Sequence, residues 1–206
     1  YNNTSSLIRV LDCLKDTYIC SSDNYFPRNV FNDKPVQSYY SALYADGETG
    51  EYCINTDSDD NITEVTIGGK NSWYMVGHVY LSRDFSDAFK KLLIREYDKE
   101  EVKQGYWEDV YINHINQLPK IRIRRYAVHD IEEFDTIDEL RIFDKSYQCD
   151  TRSSILKMIA GRMNCMEENL SGFKKLKHKG TYILFAFQKD GEAYCFNESD
   201  NTITKL

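Results

Sequence analysis

The chain has 206 residues, of which 41% are hydrophobic, 29% charged and 14% aromatic, and its formal net charge is −7. No apolar run approaches the ~20 residues of a membrane helix, which excludes a transmembrane helical protein. The aromatic content excludes a largely disordered chain, and the acidic charge argues against a general nucleic-acid binder, which needs a basic face to release counterions.

The charge is distributed unevenly. Residues 1–149 hold 17 Lys and Arg against 26 Asp and Glu, whereas residues 150–206 hold 9 against 7. This break predicts a main domain over 1–149 and a small appendage over 150–206. The six cysteines include no Cys-x-x-Cys pair, and no charged-then-apolar leader is visible, so we expect reduced thiols and a cytoplasmic protein with no membrane partner.

The first part of the chain predicts one helix followed mainly by strands. Leu7, Val10 and Leu14 recur at helical spacing, and a short buried strand over 17–21 runs into Asp23. The polar turn 56–61 lies between two alternating segments and predicts a hairpin. Further strands are expected over 38–44, 51–55, 62–67 and 73–81.

Helices and strands alternate in the rest of the chain. Apolar stripes predict helices from Phe85 and from Trp107, and Thr136 with Glu139 forms a capping box for a third. Beyond residue 150 we expect a helix and three strands, the first over 181–187, with Asp190-Gly191 as a hairpin turn. The pattern favours an α/β fold with an α+β appendage, and ligands of α/β sheets bind at the carboxyl ends of strands.

Asp23 has two interpretations. It follows a buried strand, where a hard carboxylate suits Mg²⁺. Alternatively it is a turn-forming Asp that accepts hydrogen bonds from nearby backbone amides. The segment itself does not decide between them.

Glu108 and Asp109 follow Trp107 at the start of a predicted helix. Carboxylates in a first helical turn complement the helix dipole, which is the structural interpretation. The functional alternative is a second metal ligand opposite Asp23, so that one Mg²⁺ is held against a triphosphate. By contrast, Asp57, Asp59 and Asp60 fail the calcium-loop pattern, because Ile62 stands where its glycine belongs, and they predict a solvated hairpin tip.

Aromatic residues are abundant around residues 39–74. Core packing explains most of them, but ring faces beside a carboxylate also form cages for quaternary ammonium groups. The residues of interest are Tyr39, Tyr40, Tyr44, Tyr52, Trp73, Tyr74 and Trp107, with Glu48 and Glu51.

The histidines carry no recognisable catalytic pattern. His78 lies in an apolar strand and His114 in a predicted helix, where we expect packed side chains and not general bases. No Gly-x-Ser-x-Gly or Cys/His arrangement supports covalent hydrolysis.

Several segments, taken in order, resemble the bacterial nucleotidyltransferases of the CTP:phosphocholine cytidylyltransferase type. The resemblance covers about residues 1–147. Its segments are Asn2-Asn-Thr-Ser-Ser-Leu, Ser22-Asp-Asn-Tyr-Phe, Ser38-Tyr-Tyr, Gly47-Glu-Thr-Gly-Glu-Tyr-Cys, Ile67-Gly-Gly, Trp73-Tyr-Met-Val-Gly-His-Val-Tyr, Trp107-Glu-Asp-Val-Tyr and Glu133-Phe-Asp with the following Asp138-Glu-Leu-Arg.

The resemblance implies a Rossmann-like nucleotidyltransferase fold, a mixed sheet with flanking helices. It implies CMP transfer from CTP to phosphocholine or a similar phosphorylated alcohol, with release of pyrophosphate and Mg²⁺ as cofactor. Asp23 and Asp109 would be the catalytic metal ligands, with Glu108 as a further metal ligand. The substrate-binding residues would be Tyr40, Glu51, Tyr52, Trp73 and Trp107.

The chain departs from the family pattern in three places. Tyr52 stands where many relatives have Trp. The glycine-rich Gly-x-Gly-x-Arg loop that opens the family is not found, so we expect the later two thirds of such an enzyme and weak activity. Residues 164–196 resemble the opening of a fused choline kinase lobe, but without a catalytic Asp we expect no kinase activity.

Two other functions compete with nucleotidyl transfer. A non-catalytic binding module would keep a pocket for a choline-like or phosphorylated ligand and bind no nucleotide. A glycosyltransferase of similar topology would use Asp23 to hold the metal of a sugar nucleotide, although no Asp-x-Asp pair is present there.

Overall fold

A computed structural model describes residues 1–31, 35–177 and 182–206. Their contacts divide the chain into two units, Tyr1–Glu133 and Phe134–Leu206. The predicted start of a strand at Thr181 lies outside the described residues. In the described part of the chain, no helix is both long enough and apolar enough to cross a membrane.

The first unit is built on a mixed four-stranded sheet of order β1-β4-β3-β5. Both β1 and β3 pair with β4 antiparallel, and β5 pairs with β3 parallel. A separate antiparallel pair joins β2 to β6. The strands are β1 (Thr17–Cys20), β2 (Asn24–Tyr25), β3 (Tyr39–Thr56), β4 (Ile62–Leu81), β5 (Arg122–Arg125) and β6 (Glu132–Glu133).

Helices flank this sheet and share its core. Ser82 caps α2 by accepting a hydrogen bond from the Phe85 amide, and the predicted stripe of Phe85, Phe89 and Leu93 is fully buried. The helices are α1 (Asn3–Leu7), α2 (Arg83–Glu96), α3 (Glu100–Gln104) and α4 (Trp107–Asn113). Helices on a mixed sheet confirm the predicted α/β class.

The first helix is shorter than its apolar spacing predicts. After Leu7 the chain continues as a 3₁₀ turn, Ile8–Cys13, in which Val10 leaves the helical region with φ −120° and ψ 23°. Val10 is 47% exposed, so the predicted stripe is not buried as one face. The fully buried core contacts of this segment are therefore Leu7 and Leu14, and Ile8 and Leu11 pack against the core while partly exposed.

The hairpin of β3 and β4 is long and irregular. Its register shifts between Ala45 and Glu48 and again between Thr49 and Tyr52, so the strand bends instead of running straight. Gly47, at φ +99°, supplies the backbone conformation that the first shift needs. The bend separates Tyr39–Ala45, in the central sheet, from the outer half of the hairpin.

The second unit is a four-stranded antiparallel sheet of order β10-β9-β8-β7 with α6 packed on it. Asp190 and Gly191 both have positive φ, 53° and 78°, as a type I′ hairpin turn requires, which confirms the predicted turn. The elements are α5 (Ile137–Phe143), α6 (Ser154–Arg162), β7 (Ser171–Lys175), β8 (Leu184–Lys189), β9 (Glu192–Asn197) and β10 (Thr202–Lys205).

The contacts place the division after Glu133, earlier than the composition break at 149/150 predicts. The reason is that α5 is bound into the second unit. The buried Arg141 guanidinium donates to the carbonyls of Leu170 and Glu167 at 2.6 and 2.8 Å, and the Phe173 amide donates to the Asp138 carboxylate at 3.1 Å. These hydrogen bonds join residues far apart in sequence and involve backbone groups, so the distribution of charged residues along the chain does not predict them.

Candidate active site

Asp23 lies on a turn at the end of β1 and faces a cavity of about 590 Å³, here called the Asp23 cavity. The Ser21 amide donates to the Gly77 carbonyl at 2.6 Å, which fixes the turn against β4. Asn24 then enters β2, which pairs with β6. Asp23 is exposed at this cavity, so its carboxylate is available to a ligand.

Glu108 lines the same cavity from the first turn of α4. Its Oε2 accepts a hydrogen bond from the Asn3 side-chain amide at 3.2 Å, and its Oε1 accepts one from the Tyr40 hydroxyl at 3.3 Å. Burial raises the pKa of Glu108 to about 7, against the opposing effect of these hydrogen bonds. Two carboxylates from different elements, Asp23 and Glu108, therefore line one cavity.

Asp109, the neighbouring residue, does not line the Asp23 cavity. Its Oδ2 accepts from the Tyr106 amide at 3.0 Å, which is the helix-capping role, and its Oδ1 accepts from the Tyr52 hydroxyl at 3.0 Å. It faces a different cavity, of about 260 Å³, beside Glu96 and His114. The structure thus brings Asp23 together with Glu108, and the predicted pairing of Asp23 with Asp109 in one cavity is not seen.

Of the five predicted substrate-binding residues, Tyr40 and Trp107 reach the Asp23 cavity. Their rings stack on each other with centroids 6.2 Å apart, and each residue is 2% exposed. The Phe89 ring meets Trp107 edge-on at 5.7 Å. Since their faces pack against the core, these rings do not form an open cage for a quaternary ammonium group.

The other three, Glu51, Tyr52 and Trp73, do not line that cavity. Glu51 and Tyr52 lie on the outer half of the bent hairpin, where Tyr52 pairs with Ile67. The face of Trp73 is covered by the Arg125 guanidinium, 5.5 Å from the ring centroid. The Tyr52 hydroxyl instead reaches Asp109 on α4, and Trp73 pairs with Tyr44 in the sheet.

The acidic turn after β3 is a hairpin tip, as predicted. Asp57 accepts hydrogen bonds from the amides of Asp59 and Asn61, and Lys120 and Arg125 pair with Asp57 and Asp60. These carboxylates close the turn and form ion pairs with cations near β5, as expected for a hairpin tip and not for a calcium-binding loop.

His78 is a fully buried residue of β4, as expected for a packed histidine. Its Nδ1 lies 2.6 Å from the Ser41 hydroxyl, and the rings of Tyr18, Phe26 and Phe31 surround it at 5.1 to 5.4 Å. Burial lowers the pKa of His78 from 6.5 to about 4.

Neutral His78 is expected to stabilise the fold above pH 6.5 and to lose that contribution as the pH falls through 4, because the unfolded state binds the proton more tightly. The shift corresponds to about 3 kcal/mol in the free energy of unfolding. Urea unfolding between pH 4 and 7.5 should therefore show a shallower decline for His78→Gln than for the unchanged protein. His129→Gln, at an exposed histidine, is the control, and parallel curves for all three proteins would contradict the expectation.

The donor set of the Asp23 cavity fits a hard divalent cation. Magnesium is commonly held by one or two carboxylates together with water and substrate phosphates. Within the described ranges there is no group of three or more His, Cys, Asp or Glu side chains that could cage a metal ion. Asp23 and Glu108, which line one cavity, are the carboxylates that would hold such an ion, with the other ligands supplied by water or substrate.

Sequence reasoning gave no site role to Asn3 or Tyr106, which also line the Asp23 cavity. The sequence feature that points to a site role for Asn3 is the Asn2-Asn3 pair at the start of the first helix. Asn2 uses its side-chain oxygen to accept the Asn3 amide, which leaves the Asn3 side chain free to reach α4. Only the fold shows that α4 is within that reach.

The chain is similar in sequence to curated cytidylyltransferases. It is 30% identical over 149 residues to the 2-aminoethylphosphonate cytidylyltransferase of Lancefieldella rimae, covering 71% of this chain and 60% of that protein. It is 22% identical over 141 residues to the choline-phosphate cytidylyltransferase of Streptococcus pneumoniae, covering 68% and 61%. The chain thus spans about 60% of the length of these relatives, and no family model matches it.

The fold of this chain is also similar to that of a solved structure. The CTP:phosphocholine cytidylyltransferase of Streptococcus pneumoniae superposes with a TM-score of 0.65 at 22% identity, over 71% of this chain and 64% of that one. The predicted resemblance is therefore confirmed: the chain is similar to the cytidylyltransferases in sequence and has a nucleotidyltransferase-like fold.

Proposed function

We propose that the chain carries the cation-and-acceptor part of a cytidylyltransferase. In this reaction an oxygen of a small phosphorylated or phosphonylated acceptor attacks the α-phosphorus of CTP, and the bond to pyrophosphate breaks. The observation that carries the proposal is the convergence of Asp23 and Glu108 on one cavity. The similarity to two curated cytidylyltransferases supports it.

Both reactants are anionic, so the acidic chain needs a local positive charge at the site. Mg²⁺ bound by Asp23 and Glu108 would neutralise charge on the α-phosphate during in-line displacement. Apolar side chains make up part of the cavity wall and strengthen electrostatic interactions by excluding water. They are Leu7, Val10, Ile19 and Val79.

The acceptor is proposed to be phosphocholine, or a similar small molecule with an amine at one end and an anionic phosphate or phosphonate at the other. The relative with the higher identity is named for 2-aminoethylphosphonate. The rings of Tyr40 and Trp107 stack on each other and form no open aromatic cage, so these two rings select neither a quaternary nor a primary amine. Both acceptors therefore belong in the test.

Calorimetry with Mg²⁺ and CTP, then with phosphocholine and 2-aminoethylphosphonate, tests the proposal. We expect CTP binding that depends on Mg²⁺, and pyrophosphate release when CTP and an acceptor are added together. Binding of an acceptor with no Mg²⁺-dependent CTP binding would favour a binding module. Binding of a UDP-sugar instead of CTP would favour a glycosyltransferase, and either result would overturn the proposal.

A further inference from the structure

We propose that Asn3 and Tyr40 are positioning residues, which hold the two oxygens of Glu108 so that the carboxylate presents its charge to a divalent cation in the Asp23 cavity. This inference rests on the proposed function, because it assigns Glu108 to a cation. It adds the first helix and the start of β3 to the active site.

The Asn3 side chain bridges two consecutive residues of α4. Its Oδ1 accepts a hydrogen bond from the Trp107 amide at 2.9 Å, and its Nδ2 donates to Glu108 Oε2 at 3.2 Å. Both polar ends of one amide are therefore used on the first turn of α4. This arrangement fixes the direction in which the Glu108 side chain leaves the helix.

The position of Asn3 is secured by bonds other than its own. The Thr4 hydroxyl donates to the Gly105 carbonyl at 2.8 Å, and the Ser5 hydroxyl donates to the Lys103 carbonyl at 3.0 Å. These neighbours keep α1 in place, so the hydrogen bond from the Asn3 side chain to Glu108 is not needed to hold the helix. A change at Asn3 should therefore act on the cavity more than on the fold.

The second oxygen of Glu108 is held by Tyr40. The Tyr40 hydroxyl donates to Oε1, and the ring is immobilised by stacking on Trp107. Two separate elements thus fix the two oxygens, which leaves little rotational freedom to the carboxylate.

Both donors are neutral, and this is the chemical reason for the assignment. Among the described residues, no Lys, Arg or His forms an ion pair with Glu108. A carboxylate has about four lone-pair sites, so two remain for a cation after these hydrogen bonds. Neutral donors orient the group without cancelling its charge, as outer-shell partners of metal ligands commonly do.

The test measures Mn²⁺ affinity by electron paramagnetic resonance on the full chain without substrate. Outer-shell changes typically reduce metal affinity 10- to 100-fold, so we expect about a tenfold loss for Asn3→Leu and for Tyr40→Phe. Tyr80→Phe is the matched control, because it removes a tyrosine hydroxyl that donates to the Asp16 carboxylate at 3.3 Å, and Tyr80 does not line the Asp23 cavity. Its Mn²⁺ affinity should stay within about twofold.

The outcomes separate this inference from the proposed function. If the unchanged protein does not bind Mn²⁺, the proposed function fails. If it binds, and Asn3→Leu and Tyr40→Phe bind as well as Tyr80→Phe, the positioning role is wrong and the proposed function stands. Should Asn3→Leu not fold, the isosteric Tyr40→Phe, which keeps the stacked ring, decides alone.

Discussion

Glu108→Gln is expected to abolish most cation-dependent activity, whereas Asp109→Asn is expected to keep it. Both substitutions replace a carboxyl group by an amide of the same shape, at adjacent positions of α4. Only Glu108 lines the Asp23 cavity, while the Asp109 carboxylate caps its own helix and accepts from Tyr52. Loss of a cation ligand removes several kcal/mol of charge stabilisation, which corresponds to about 100-fold or more in turnover.

The measurement combines Mg²⁺ titration with pyrophosphate release for Glu108→Gln, Asp23→Asn and Asp109→Asn. The first two should lose at least about tenfold in cation affinity and about 100-fold in rate. Asp109→Asn should stay within about threefold in both and lose no more than about 1 kcal/mol in the free energy of unfolding, from the weakened cap. A loss of cation binding in Asp109→Asn with Glu108→Gln unchanged would reverse the assignment.

The contrast between Glu108 and Asp109 shows what local sequence could predict at this site. The interpretation of Asp109 as a first-turn carboxylate matches its observed capping bond. Adjacent helical residues differ in direction by about 100°, and the burial of Trp107 and Val110 decides which carboxylate faces the Asp23 cavity. That burial depends on contacts with distant strands, so the choice between the two carboxylates was open in the sequence.

The same division between local and long-range determinants explains the fold. Periodic or capped elements such as α2, α5 with its Thr136–Glu139 box, and the β8–β9 hairpin were predictable, because neighbouring residues determine them. The aromatic cage was a prediction from proximity in sequence alone. The hydroxyls of Tyr40 and Tyr52 reach neighbouring carboxylates of α4, and the ring of Tyr40 is covered by Trp107 of that helix, a contact that its own sequence neighbourhood does not reveal.

Gly77→Ala is expected to disable the Asp23 turn. A Cβ at this position would lie 2.0 Å from Ser21 Oγ, 2.4 Å from Ser21 Cβ and 3.0 Å from Asn24 Oδ1. The hydroxyl can rotate away, but the Ser21 Cβ is fixed to the backbone, so the turn that carries Asp23 must move. We expect a loss of about 1 to 3 kcal/mol in the free energy of unfolding, and a displacement near 1 Å can reduce activity about 100-fold.

A matched glycine and a rescue variant separate this local effect from general damage to the sheet. Gly50→Ala lies in β3, where a new Cβ meets nothing within 4 Å, and should change stability by less than about 0.5 kcal/mol. Adding Ser21→Gly to Gly77→Ala removes both Ser21 atoms from the clash, so cation affinity should recover toward that of the unchanged protein. If the double variant stays as inactive as Gly77→Ala, the close approach of β4 to the Ser21 side chain is not what holds Asp23 in place.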